Sequence, residues 1–285
     1  MAAAPSPTVR RKRLGTELRR LREQAGLTCE EVGQRLECSG TRISRIETGR
    51  INVRPGDVRE MLEIYGVTGS EAASLVQLAR EARRKGWWHA YGRVFPTWFE
   101  AYIGLESEAV RLRDFQPLVM PGLLQTEDYA RAVLRAAPDT GSTKDIDQQV
   151  ALRMDRQAIL AQANPPDLWV VLSESVLRAQ VGGPAVMRAQ LSHLIDTAER
   201  ATVTLQVLPF TTPAHVHPIS PFTILEFAEA TDPAVVYLEH LTGSLFLESK
   251  DEVRRYTVVF DHLCAEALGA DQSAGLIAQI ANGLA

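Results

Sequence analysis

The residues best equipped for chemistry stand in one short run, SGTRISRIETGR, residues 39 to 50. Ile43 and Ile46 lie three apart, so a helix puts both on one face. Thr41, Arg42, Ser44 and Arg45 then point away from that face. Ser39 is placed to cap the helix start and Gly49 to end it. Hydroxyls beside guanidinium forks suit the phosphates and edges of an acidic polymer. They also make an ordinary solvated face. The choice between the two readings rests on the elements that hold this helix.

Those elements come in quick succession. Residues 1–8 are of low complexity, and Arg10-Arg11-Lys12-Arg13 follows as a basic arm, free to lie on phosphates or in a minor groove, or to serve as a solubilising tail. A helix is predicted over about 13–25, with Leu14, Leu18 and Leu21 on one side and Gly26 at its end. Thr28 caps a second helix carrying Glu30 and Glu31 in its first turn and Val32 and Leu36 inside. Glu37-Cys38 turns the chain into the Ser39 helix. Pro55-Gly56-Asp57 opens a fourth helix that Gly66 closes, and Ser70 begins a fifth that ends near Lys85. Two helices joined by so tight a turn make the helix-turn-helix pattern. Gly33 fits it, because a small side chain lets the two helices cross closely.

Composition sets limits on the rest. With 285 residues and 45% hydrophobic content, the chain suits roughly two domains. Net charge is −4, which taken alone disfavours nucleic acid. The charge is unevenly placed, however: residues 1–85 hold 17 Lys and Arg against 11 Asp and Glu, and the remainder 14 against 24. A front of +6 on a body of −10 allows the front alone to be drawn to phosphates. Cys29, Cys38 and Cys264 show no CxxC spacing, which suits a reducing cytosol without a disulfide framework or zinc site. Apolar runs such as LWVVL at 168–172 are far short of a membrane span, and the N-terminus has no apolar signal core, so a cytoplasmic protein is expected.

Leu14-Gly15, Leu18-Arg19, Leu21-Arg22, Gly26-Leu27-Thr28, Val32, Ser39, Ile43-Ser44-Arg45-Ile46-Glu47 and Gly49-Arg50 resemble the XRE/Cro-type helix-turn-helix over about residues 13–66. That resemblance implies DNA base contacts from Gly40, Thr41, Arg42 and Arg45. It implies phosphate contacts from Thr28, Ser39, Ser44, Arg50 and Asn52, with Arg11 and Arg13 of the arm added, and a structural role for Glu47. The chain departs from the pattern twice. Glu37 stands where many members have Gly in the turn, and Cys29 where many have a Gln that holds phosphate.

Beyond residue 85 the pattern changes. Helices are predicted over 96–115, 147–163, 184–200, 250–268 and 273–282, and short β-rich runs at 168–172, 203–208, 222–227, 235–239 and 244–247. The helix at 184–200 joins two of these runs, so one parallel crossover within a mixed sheet is expected. GWWHAYG, PGLLQTEDYARA, VMRAQLSHL, FTILEF, VVYLEHLTGSLFLE and RRYTVVFDHLCAEAL resemble the DUF5753 region found behind XRE domains in WhiJ-like, antitoxin-like actinobacterial regulators. The resemblance implies transcription regulation together with a small DUF397-type partner protein. The expected architecture is multi-domain: a basic arm at 1–12, an all-α domain at 13–85, a helical connector at 86–166 and an α+β domain at 167–285.

Catalysis finds little support. There is no GxSxG elbow, HExxH helix or P-loop, and His215-Val216-His217 lacks further ligands nearby in sequence. No cofactor, metal or catalytic residue is expected. Trp87, Trp88, Tyr91 and Trp98 are a candidate ligand or partner surface, or else a core joint between the domains. The expected partners are double-stranded DNA, a second copy of the chain in a homodimer, the DUF397-type protein and a small-molecule ligand of unknown identity, with no membrane.

Overall fold

Leu14, Leu18 and Leu21 do share one face, and in the computed structural model they line the buried side of α1 (Pro7–Gln24). The structure describes residues 7–83, 86–92, 94–137, 141–212, 220–228 and 232–284, in two units divided between Ala90 and Tyr91. Helix α1 starts well before the expected position and absorbs the basic run. Arg10 is buried, with its Nε 3.6 Å from Glu81, and Arg11 Nε donates to the Gly49 carbonyl at 2.7 Å. Residues 7–12 are therefore helix rather than a free arm, because two of its cations have partners inside the unit. The first six residues of that expected arm lie outside the described residues.

Four more helices complete the first unit: α2 (Cys29–Arg35), α3 (Gly40–Glu47), α4 (Pro55–Ile64) and α5 (Gly69–Glu81). Thr28 and Glu31 form a reciprocal capping box at α2, each satisfying the other's backbone N–H. Pro55 occupies the first turn of α4, where a missing N–H loses no helix bond. One core gathers Leu14, Leu18, Val32, Ile43, Ile46 and Met61. Helices α2 and α3 meet closely at Gly33, where a Cβ would stand 2.7 Å from the Cys38 carbonyl and 2.9 Å from the Gly40 nitrogen. The turn that follows puts Glu37 at φ 52°, the left-handed conformation that glycine adopts without strain.

The second unit is α+β. Helix α6 (Thr97–Glu106) ends short of the expected 96–115 segment, and β1 (Arg111–Gln116) takes its second half. Helices α7 (Glu127–Ala136) and α8 (Thr143–Arg156) lead to β2 (Asp167–Ser173), and α9 (Glu174–Arg178) and α10 (Pro184–Ala198) to β3 (Val203–Leu208). Then come β4 (Phe222–Glu226), β5 (Val235–His240), β6 (Gly243–Leu247), α11 (Lys250–Glu266) and α12 (Ala270–Asn282). The connector expected at 86–166 thus contains a strand, and a central one.

The six strands form a mixed sheet in the order β3-β2-β1-β4-β5-β6. The β3-β2-β1 half is parallel and the rest antiparallel. Helix α10 makes the β2-to-β3 crossover that the sequence implied. Helix α11 covers one face, where Phe260 and Leu263 pack on Phe115, Val171, Phe222 and Val236. At the β3 edge, Leu268 N–H donates to the Val207 carbonyl at 2.8 Å and Val207 N–H to Ser273 Oγ at 2.9 Å, so the α11–α12 corner occupies polar groups that would otherwise be open for pairing. Among the described residues, no helix is long and apolar enough to cross a membrane.

Candidate nucleic-acid interface

Helix α3 is sorted by its sequence into two faces. Ile43, Ile46 and Glu47 are buried, while Thr41, Arg42, Ser44 and Arg45 are exposed. Ser39 accepts a hydrogen bond from the Arg42 N–H at 3.3 Å and so fixes the helix start. Gly49, at φ 66°, turns the chain away, and the Arg50 N–H closes back on the Arg45 carbonyl at 2.9 Å. Arg50 and Asn52 stand exposed just beyond, and Thr28 and Ser39 are exposed at the starts of α2 and α3.

What orients this helix is an ion pair beneath it. The Arg22 guanidinium of α1 forks onto Glu47, Nε to Oε1 at 2.7 Å and Nη2 to Oε2 at 2.9 Å, and its Nη1 donates to the Leu27 carbonyl at 2.6 Å. The two side chains are only 11% and 3% exposed. The hydrogen bonds that Arg22 donates to Glu47 outweigh burial and raise its pKa above the usual arginine value. Glu47 is thus the structural partner that the resemblance implied. The nearby Tyr65 hydroxyl is buried without a hydrogen-bond partner, and burial pushes its ionisation upward. The Cys29 Sγ lies 3.9 Å from Glu47, turned toward the pair, where family members present a Gln to phosphate.

The other expected contacts divide. Thr28, Ser39, Gly40, Thr41, Arg42, Ser44, Arg45, Arg50 and Asn52 belong to one contiguous stretch of the motif, from the start of α2 to the loop after α3. Arg13 is exposed on α1, whereas Arg11 is half-buried and engaged with Gly49. Arg42 is already held: its Nη2 meets Asp57 Oδ2 of α4 at 2.6 Å. Sequence reasoning missed this link, which joins residues fifteen apart on different helices. It also missed Arg54, exposed at the α4 start, where no side chain caps the helix. The Pro55-Gly56-Asp57 signal marked that helix start without revealing which way it faces.

The four aromatic candidates are divided between the two units. Trp87 and Trp88 belong to the first unit, and Tyr91 and Trp98 to the second. The Tyr91 hydroxyl donates to the Asp155 carboxylate, while Trp98 lines a cavity together with Phe99. The paired histidines 215 and 217 lie outside the described residues.

A family model described as a helix-turn-helix domain matches residues 13–75. A second, described as a domain of unknown function, DUF5753, matches residues 99–279. No curated protein and no solved structure matches the chain.

Proposed function

The chain belongs to the DUF5753 family and carries a helix-turn-helix domain ahead of that region, and from this premise we propose that it is a sequence-specific DNA-binding transcriptional regulator whose second unit senses a ligand or partner. One observation carries the reading: the exposed face of α3 holds Thr41, Arg42, Ser44 and Arg45, while its other face is locked in place by Ile43, Ile46 and the Arg22–Glu47 fork. In the major groove, Arg45 and Arg42 donate to guanine O6 and N7, and Thr41 meets a thymine methyl or a base acceptor. Thr28, Ser39, Ser44, Arg50 and Asn52 contact the flanking phosphates, as does Arg13 of α1. Two copies in a homodimer place their α3 helices one turn of DNA apart on a near-palindrome.

The test is selection of bound sequences by the full chain, followed by titration of variants. Arg45→Ala reduces discrimination between the selected site and a scrambled one by roughly 1–3 kcal/mol. Arg50→Ala weakens binding to both sites alike and lowers the slope of log affinity against log salt by about 1. Two folded variants that bind every duplex as the wild type does would remove the assigned roles, and a wild type that ignores duplexes at low salt would remove the function.

A second reading is supported by the −10 balance of residues 86–285, which suits a basic partner such as the DUF397-type protein. In that reading the second unit holds the partner in an antitoxin-like arrangement, and DNA binding is autoregulatory. Co-purification with that partner distinguishes the two.

A further inference from the structure

In the second unit, the sheet face opposite α11 carries a polar row across three strands. Asp114 of β1 is directly opposite Thr223 of β4, which is opposite Tyr237 of β5. A cavity of about 550 Å³ opens over this row, within the range of small-molecule sites. Helices α6, α7 and α8 and the Met120–Gln125 turn form its other walls. Phe95, Trp98, Phe99, Tyr102 and Tyr237 supply the aromatic part of its apolar lining.

Two arginines one turn apart on α8 face this space, and they are treated differently. Arg156 is neutralised: its guanidinium forks onto Glu106 at 2.7 and 2.8 Å and lies over the rings of Phe99 and Tyr102. Arg153 donates Nη1 to Gln125 Oε1 at 2.6 Å, and among the described residues no carboxylate stands within ion-pair distance of it. The carboxylate whose charge acts on it is Glu239 at the rim, which is exposed and engaged by the Tyr237 hydroxyl at 3.0 Å. Burial, and then the charge of Arg156, lower the Arg153 pKa to about 10. Arg153 is half-buried, and a guanidinium partly withdrawn from water without a counter-ion carries a cost that an arriving oxyanion lowers. On the strand side, Asp114 is buried, and both of its hydrogen bonds, from Gln116 at 2.9 Å and Thr223 at 3.1 Å, go to Oδ1. Oδ2 is left to accept from whatever fills the space.

We infer that this cavity is a receptor site for a small organic acid: a carboxylate forked by Arg153, an aromatic or apolar body against Trp98, Phe99 and Tyr237, and a hydroxyl or amine donor for Asp114. The site gives the sensing role proposed above a chemical class and rests on that reading for its effect on DNA. Binding itself is measured without DNA, so failure of the site and failure of the regulatory reading are told apart.

The probe is 4-hydroxyphenylacetate, with its neutral amide and acetate as controls, followed by ligand-detected NMR and thermal shift on the full chain. The carboxylate binds saturably with a Kd below about 5 mM, as befits a fragment of its size. The amide and acetate each bind at least about tenfold more weakly, since one lacks the charge and the other the ring. Arg153→Gln loses the carboxylate preference while keeping its melting transition, and Val133→Phe, which fills the cavity from α7, weakens carboxylate and amide together. Equal binding of acid and amide, unchanged binding in Arg153→Gln, or no binding of the acid to the wild type overturns the assignment. If the acid binds as described and DNA affinity does not respond, the site stands and its coupling to DNA falls.

Discussion

Removing Glu47 tests what holds α3 in place. Glu47→Ala leaves the Arg22 guanidinium buried, with its bond to the Leu27 carbonyl at 2.6 Å and a more distant, exposed Glu23 at 3.7 Å. Breaking a buried pair from one side costs about 3–5 kcal/mol, because the remaining charge is uncompensated. The two remaining contacts place this case at the lower end, about 3 kcal/mol, equivalent to a roughly 150-fold larger open population. The free thiols report it. Cys38 is half-buried in the first unit and Cys264 half-buried in the second, so maleimide labelling of each follows the opening of its own unit. Cys29 is left out of the readout because it touches Glu47. Labelling of Cys38 is expected to accelerate about 150-fold, with Cys264 unchanged. The double replacement Arg22→Met with Glu47→Leu is expected to recover most of the loss, since it leaves no unpaired charge. A change at Cys38 below about fivefold, the effect of a mere surface pair, refutes the reasoning. So does a double variant as open as the single one.

Three further outcomes follow from the geometry. Glu37→Gly relieves a left-handed residue and stabilises the first unit by roughly 1 kcal/mol, read as about fivefold slower Cys38 labelling. Asp57→Ala frees Arg42 from an exposed ion pair worth about 0.2–1 kcal/mol, so affinity for the selected DNA site rises about 1.4- to fivefold by fluorescence anisotropy; unchanged or weaker binding means that Asp57 presents the guanidinium instead of withholding it. Burial pushes Asp114 up to about 6 from its ordinary 3.8. The native state then holds more protons than the unfolded one between those values, so stability falls as pH rises through that window. Asp114→Asn lacks this dependence, and the urea midpoint of the second unit in the wild type falls relative to that of the variant between pH 4 and 8 by the equivalent of about 2 kcal/mol.

Helix α3 was legible because its signals are local. Ser39, the Ile43–Ile46 spacing and Gly49 lie within a dozen residues, and each acts on its immediate neighbours. Gly33 and Glu37 were legible for the same reason, as one crossing and one turn fix both. The β-runs after residue 166 announced themselves through branched and aromatic residues. Strand β1 did not. RLRDFQ carries charges on both sides of its alternation, and only the folded unit brings Thr223 of β4 to Asp114 and Asp261 of α11 to Arg113. Following an amphipathic helix, such a run reads as its continuation. Arg10 and Arg11 misled for a related reason: a basic run looks solvated until α5 and the loop after α3 bring Glu81 and the Gly49 carbonyl to it. The contrast between Arg153 and Arg156 lies beyond sequence reasoning altogether, because it depends on which of two neighbouring cations a distant Glu106 reaches.

Strand β1 is the first strand to be synthesised, yet it takes a central place in its sheet. Its partners are residues 167–173 on one side and 222–226 on the other, and the corner that guards the far edge comes from residues 268 and 273. On the ribosome, therefore, the helical front end can close its core from nearby contacts while the sheet still waits for its flanks. A nascent chain carries a finished helix-turn-helix unit before its second unit has a sheet. Premature termination anywhere between residues 90 and 222 is expected to release that first unit alone, with the sheet left unformed.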